Sequence, residues 1–244
     1  MTATSFVTDE GVTVPAVTAD QMREVDRIAI EETGPNLFQM MENAGRNLAL
    51  TALRMLGSSW SEEYVVVLAG TAGNGGGGIC AARHLANRGV EVTVVVSDET
   101  RLTEVPRDQL DVFRQTPGRL VSPTDLESQD PTLIIDAIVG YSLEGQLRSA
   151  ALGMVDWVGA TQVPVLSLDV PSGINASSGV GSGVHVNATE TLTLALPKFG
   201  LDTQTAGDLS LGDIGIPADT YRRAGIDVDS RLFGSRYVVP IHRV

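Results

Sequence analysis

The sequence predicts a three-layer α/β domain built on a doubly wound, mainly parallel sheet. Short apolar runs (VVVLA, VTVVV, LIIDAIV, VPVLSL) have the near-continuous hydrophobicity of strands covered on both faces. Between them lie segments with apolar residues at three- and four-residue spacing, the mark of amphipathic helices. After the first apolar run comes a stretch with six glycines in nine residues, Gly70 to Gly78, and then a helical pattern.

The elements follow in order. Residues 1–16 are polar and acidic, with no basic or apolar signal-peptide region, and are expected to be a short flexible extension. Thr18 caps a helix over 19–31, whose inner face is Met22, Val25, Ile28 and Ala29. A second helix over 36–56 presents Leu37, Met40, Met41, Ala44, Leu48, Leu53 and Leu56. These two helices are expected to pack on the sheet. Trp60 falls in the polar segment that follows and receives no role. Strand 64–69 leads to helix 78–88 (Ile79, Ala82, Leu85, Ala86), then to strand 91–96 and helix 107–115. Strands 119–121 and 132–137, helix 147–158 with Trp157 in the core, and strands 163–168 and 189–195 complete the alternation. Residues 175–183 read as a loop on the active face. With no internal repeat and no dividing linker, residues 1–244 read as one Rossmann-like domain.

Composition narrows the function. A net charge of −13 excludes a general nucleic-acid binder, which needs a basic stripe. No run reaches the roughly 18 apolar residues of a membrane span. The one cysteine, Cys80, leaves no partner for an internal disulfide, fits a cytoplasmic location, and is expected to be a buried packing residue. Sixteen of the seventeen basic residues are arginine; the single lysine is Lys198.

Three loops leave the carboxyl ends of strands, where open α/β sheets bind ligands. The glycine stretch, with Asn74, suits a nucleotide cradle, because glycine permits close backbone approach and a helix N-terminus favours phosphate. A flexible linker is the bland alternative. Its spacing is not that of the ordinary dinucleotide fingerprint. The second loop begins at Asp136 and the third at Asp169, each an acid at the tip of a buried strand. Taken singly, either could cap its own loop; together beside a glycine cradle they point to a site. His84, His185 and His242 lack zinc-ligand spacing, and no nucleophile elbow or Walker-type lysine is present.

Five ordered motifs carry a resemblance. They are Thr18-Ala-Asp-Gln-Met22 with Asp26, Met41-Glu-Asn-Ala-Gly45, and the glycine stretch with Ala82-Arg83-His84-Leu85. Asp136-Ala-Ile-Val-Gly140 follows, then Asp169-Val-Pro-Ser-Gly173 with Gly179, and the chain adds Leu196-Pro-Lys-Phe-Gly200 after them. From about Val17 to Ile216 the chain resembles the NAD(P)H-hydrate epimerase family, also called the YjeF N-terminal domain family. The resemblance implies interconversion of the R and S forms of hydrated NADH or NADPH, so that a partner dehydratase can act on the S form. It implies a potassium ion held by Asn74, Asp136 and Ser172, an all-oxygen set suited to a hard cation. Substrate-binding residues would be Gly73, Asn74, Gly75, Gly76 and Gly77, then Gly140, Tyr141, Ser142, Leu143, Glu144, Gly145 and Gln146, with Asp169. Asp169 would be the general acid and base. A homodimer is also implied. Three positions depart from the family pattern: Gly73 replaces the first asparagine of the loop, Gly77 its aspartate, and Asp98 the lysine after the second strand. These departures keep open an alternative, a catalytically degenerate relative serving as a nucleotide-binding or dimerisation module. Such a domain occurs in the enhancer of mRNA decapping.

Overall fold

Runs rich in valine and isoleucine become strands because β-branched side chains pack well on a pleated surface. The computed structural model describes residues 5–181 and 183–244. Its strands are β1 (Ser5–Thr8), β2 (Thr13–Pro15), β3 (Tyr64–Ala69), β4 (Glu91–Val96) and β5 (Arg119–Val121), then β6 (Leu133–Ala137), β7 (Val165–Leu168), β8 (Glu190–Leu194), β9 (Asp208–Gly212) and β10 (Val238–Arg243). The α-helices are α1 (Ala19–Ile28), α2 (Leu37–Leu56), α3 (Gly73–Ala86) and α4 (Glu104–Phe113), then α5 (Ser149–Gly159), α6 (Thr203–Ala206) and α7 (Ala218–Arg223).

All ten strands join one sheet in the order β2-β1-β10-β9-β8-β7-β6-β3-β4-β5. β3 to β9 pair in parallel, and β10, β1 and β2 extend one edge antiparallel. The fold is therefore the mainly parallel α/β architecture expected. Alternate residues of β3 serve opposite cores: Val65, Val67 and Ala69 face α2, α3 and α4, while Val66 and Leu68 face α5. A third core, under α1 and the start of α2, covers the antiparallel end. Reciprocal capping boxes, Thr18 with Gln21 and Asn36 with Gln39, start α1 and α2 and satisfy orphan N–H groups. Trp60, unassigned from sequence, lies half-buried against the α2–α3 core.

Several expectations need correction. The N-terminal extension is not flexible over its described part: β1 and β2 belong to the sheet, and Phe6 and Val14 are fully buried. Residues 1–4 lie outside the described residues. The pairing of Phe6 with Arg243 spans almost the whole chain, so no local pattern reveals it. β9, β10, α6 and α7 were also unforeseen. α1 ends at Ile28 and continues as a wider turn over 29–33.

The main correction concerns the glycines. The stretch expected to be a loop before a helix at 78 is already helical from Gly73. Glycine is a poor helix former, so tertiary contact must favour it here. A Cβ on Gly76 would lie 2.4 Å from Met41 Sδ, and one on Gly78 would lie 2.5 Å from Ala137 Cβ. The bare backbone of α3 thus sits directly on β6 and against α2. Adding a methyl at Gly78 sets a helix gain of ~1 kcal/mol against an overpacking cost of about 1–3 kcal/mol. Gly78→Ala is expected to lower stability in urea unfolding. Gly153→Ala, in α5 with nothing within 4 Å of the added carbon, is expected to raise it by about 0.5–1 kcal/mol. A stabilised Gly78→Ala would show that close packing is not what keeps that glycine.

Candidate active site

Parallel strands carry their loops to one edge, and there β3, β4, β6 and β7 open onto a cleft of about 790 Å³. That volume is within the range of small-molecule and cofactor sites. Its wall includes Gly73 and Asn74 at the start of α3, Asp98 and Arg101 after β4, Gly140 to Ser142 after β6, and Asp169 after β7.

Asp169 is at the centre. It adopts φ +71°, an uncommon conformation for a residue other than glycine and one that recurs at functional sites. Its Oδ1 accepts a hydrogen bond from the Lys198 ammonium, and its Oδ2 accepts one from the Tyr141 backbone N–H at 2.8 Å. Asp169 is 4% exposed and Lys198 1%. Lys198 also donates to the Leu194 carbonyl at 2.8 Å and lies over the Tyr141 ring. Sequence reading gave Lys198 no role. The signal available was its rarity: in a chain whose other sixteen basic residues are arginine, one position carries the compact ammonium of lysine.

Tyr141 links this pair to a second carboxylate. Its hydroxyl donates to Asp26 Oδ2 at 2.5 Å, and Asp26, on α1, also lines the cleft. Burial pushes the Asp26 carboxyl above its usual range, against the opposing effects of the Tyr141 hydrogen bond and the Lys198 charge. Burial and the adjacent Asp26 carboxylate push the Tyr141 phenol upward as well.

Beneath the cleft floor, Asp136 is completely buried. Its carboxylate accepts from the Ser172 and Ser167 hydroxyls at 2.5 and 2.8 Å, and from the Ser172 and Ile138 backbone N–H groups at 2.9 and 3.3 Å. Burial raises its pKa, and those hydrogen bonds oppose the rise. Ser172 Oγ also receives the Val139 N–H at 3.0 Å, which ties the β6 loop to the β7 loop. Gly140 follows. A Cβ there would meet Asp169 Oδ2 at 2.7 Å and Asn74 Oδ1 at 3.0 Å, so Asn74 and Asp169 converge on a bare glycine. The buried Nδ2 of Asn74 has no hydrogen-bond partner.

The expected site residues therefore separate. Gly73, Asn74, Gly140, Tyr141, Ser142 and Asp169 line the cleft; Asp136 and Ser172 support it from below. Gly75, Gly76 and Gly77 are buried within α3 and do not line it, nor do Leu143, Glu144, Gly145 and Gln146. Glu144 instead pairs with Arg23 at 3.2 Å. Asp98 lines the cleft, but its Oδ1 caps the turn at Thr100, accepting from both the backbone N–H and the hydroxyl.

A separate cluster joins α2 to α3. Glu42 accepts from Arg83 at 2.5 Å and meets His84 Nε2 at 2.9 Å, with Cys80 Sγ at 3.3 Å. Glu42, Cys80 and His84 are close enough to share a metal ion. The Arg83 guanidinium already occupies the cluster, donating to Glu42 Oε2 at 2.5 Å and to Cys80 Sγ at 3.4 Å, and burial pushes the Cys80 thiol up to about 12. We read the cluster as an ion-paired brace. Against the cost of burial, hydrogen bonds from Arg83, Cys80 and His84 hold the Glu42 carboxyl down at about 2.

Comparison with known proteins now bears on the site. Residues 37–200 match the family model described as YjeF-related protein N-terminus. This chain belongs to that family. A Dehalogenimonas lykanthroporepellens protein named NAD(P)H-hydrate epimerase is 46% identical over 237 residues, covering 97% of each chain. A Weissella koreensis protein of the same name is 35% identical, covering 85% of this chain and 95% of its own. A Salinibacter ruber protein named bifunctional NAD(P)H-hydrate repair enzyme Nnr is 34% identical over 88% of this chain, which spans 43% of that longer protein. The crystal structure of the yeast protein ynu0 shares the family fold, with TM-score 0.81 and 23% identity over 93% of this chain and all of the yeast chain. No helix among the described residues is long and apolar enough to cross a membrane.

Two outcomes follow from the buried charges. Removing one partner of the Lys198–Asp169 pair strands the other, so Lys198→Met is expected to cost roughly 3–5 kcal/mol. Lys198→Met combined with Asp169→Asn should cost less than the sum of the singles; additivity within ~0.5 kcal/mol would deny the coupling. Glu42 has a depressed pKa, so its contribution is complete above the unfolded value of about 4.3 and is lost as pH falls through about 2. The stability gap between wild type and Glu42→Gln should therefore narrow on acidification; a gap constant with pH would argue against the brace.

Proposed function

We propose that this protein is an NAD(P)H-hydrate epimerase, interconverting the R and S forms of hydrated NADH or NADPH in nicotinamide nucleotide repair. One observation carries the reading beyond family membership: Asp169 is held in the cleft between a buried ammonium and a backbone N–H, as an acid–base group requires. The name of the relative that aligns with 97% of this chain supports the substrate class.

The hydrogen bond between the Lys198 ammonium and Asp169 Oδ1 puts a transferable proton at the pair. That proton passes from the pair to the substrate hydroxyl, whose carbon–oxygen bond breaks with its electron pair leaving on oxygen as water. The carbon becomes flat and cationic, and the Asp169 carboxylate offsets the developing charge. Water adds to the opposite face, forms the new carbon–oxygen bond and returns a proton to the pair. The configuration is inverted and the enzyme is unchanged. The Tyr141 ring and the Gly140 backbone orient the substrate at this carbon, and the first N–H groups of α3, which have no side-chain cap, favour a phosphate.

Potassium belongs to the same proposal. Asn74, Asp136 and Ser172 offer oxygen donors with no soft ligand, and Asn74 Oδ1 lies beside Gly140 at the cleft, 3.0 Å from where a Cβ on that glycine would stand. Bound there, the ion would supply a fixed, weakly polarising positive charge that favours the ionised Asp136. The cytoplasmic location and the homodimer are likewise proposed. Exposed Ile30, Leu37, Phe38 and Leu50 offer apolar surface for self-association, and light scattering at micromolar concentration tests it. The longer bifunctional relative supports a working link to a dehydratase.

Asp169→Asn keeps the side-chain shape and suits a positive φ, but it cannot exchange a proton. It is expected to lower R-to-S exchange by about 10²–10⁴-fold per folded molecule; because it also strands the Lys198 ammonium, the rate is compared at a temperature where circular dichroism shows the variant folded. Equal rates would remove Asp169 from the chemistry, and no exchange by the wild type would favour the degenerate binding or dimerisation module. Dialysis from potassium into a bulky organic cation is expected to lower activity or thermal stability, with recovery on adding potassium or rubidium. Rubidium anomalous scattering should peak between Asn74, Asp136 and Ser172. An empty map there would separate this chain from the metal set.

A further inference from the structure

Two of the sixteen arginines differ from all the others. Fourteen donate to a carboxylate or a backbone carbonyl, or lie over an aromatic ring. Among the described residues, Arg101 and Arg148 are the two arginines whose guanidinium has no hydrogen bond, ion pair or ring contact. Both are exposed, and both line the cleft. In a chain with 30 acidic residues and a net charge of −13, an unpaired guanidinium is the exception. Two of them, carried to one cleft by separate loops, mark a place for an anion from outside the protein.

Their settings agree. Arg101 ends the short turn Glu99–Arg101 after β4, three residues beyond Asp98. The Asp98 carboxylate accepts from the Thr100 N–H and hydroxyl, and these hydrogen bonds, with the nearby Arg101 charge, hold its pKa low. It fixes the turn that displays Arg101 while its oxygens stay on Thr100, with no direct ion pair to the guanidinium. Arg148 immediately precedes α5, whose first turn, Ser149 to Ala151, also lines the cleft and has no side-chain cap. Guanidinium groups bind phosphate through two parallel hydrogen bonds, and backbone N–H groups at a helix start add to the attraction.

We propose that Arg101 and Arg148 bind the phosphate groups of the dinucleotide, which makes them the residues that set substrate affinity. The proposal rests on the reading that the cleft takes hydrated NAD(P)H. The phosphate is either the diphosphate bridge, common to both substrates, or the 2′-phosphate of the NADPH form, and the test separates these.

Calorimetric titration of the full chain with ADP-ribose and with 2′-phospho-ADP-ribose probes phosphate recognition without the nicotinamide ring. Arg101→Gln and Arg148→Gln are each expected to weaken binding by on the order of tenfold to a hundredfold. The salt dependence of binding should also become shallower. Melting temperature should change little, because both guanidinium groups are exposed and make no hydrogen bond or ion pair among the described residues, and lysine at either position should restore part of the affinity. Loss with both ligands assigns the arginines to the diphosphate; loss confined to the second ligand assigns them to the 2′-phosphate. Unchanged affinity of the double variant for both ligands, or no binding of either by the wild type, overturns the assignment even if the protein epimerises. If the variants lose ADP-ribose while the wild type shows no R-to-S exchange, the phosphate assignment stands and the epimerase reading falls.

Discussion

A buried ion pair is the constraint on which the rest of the cleft depends. Lys198 and Asp169 are both almost fully enclosed, and neither charge could stay there without the other. Lys198 lies in the turn after β8, held by backbone hydrogen bonds that Val17 makes to Pro197 and Phe199. Asp169 follows β7 and takes a positive φ to reach it. The segment that leads into α1, the β7 loop and the β8 turn are thereby locked to one another at a single point. The Tyr141 backbone completes the cradle, and its side chain carries the connection on to Asp26 in α1.

Asp136 does for the floor what Asp169 does for the wall. Its four hydrogen bonds come from the ends of β6 and β7, so its carboxylate fixes the relative height of the two loops. Gly140 then sits where Asn74 and Asp169 can approach it. The chemistry is placed on loops, and rigid strands and buried charges hold those loops in position. This is why Gly140 admits no side chain, while Gly145, a few residues on, has open space around it.

The glycines of α3 show where a local reading misleads. Four consecutive glycines resemble a loop on propensity alone, since each disfavours a helix by ~1 kcal/mol. In the folded chain they let the helix backbone lie against Ala137, Leu168 and Met41, contacts that depend on segments far away in sequence. The same distance effect hid β1 and β2, whose partner strand is at the other end of the chain. It also hid the partner of Lys198: the sequence shows that this lysine is the only one in the chain, but not that it meets Asp169, 29 residues earlier.

By itself the sequence determined the parallel α/β architecture, because apolar runs and helical periodicity follow from local geometry. It also determined the three loops at the carboxyl ends of the strands, with Asn74, Asp136, Asp169 and Ser172 among them. Only the tertiary structure decided which of these face the cleft and which support it, and that Leu143 to Gln146 turn away from it. It alone paired Asp169 with Lys198, linked Tyr141 to Asp26, and left Arg101 and Arg148 without a hydrogen bond or ion pair among the described residues. Such pairings join residues from separate strands, and what selects them is the need to satisfy each buried charge in three dimensions, which no spacing along the chain encodes.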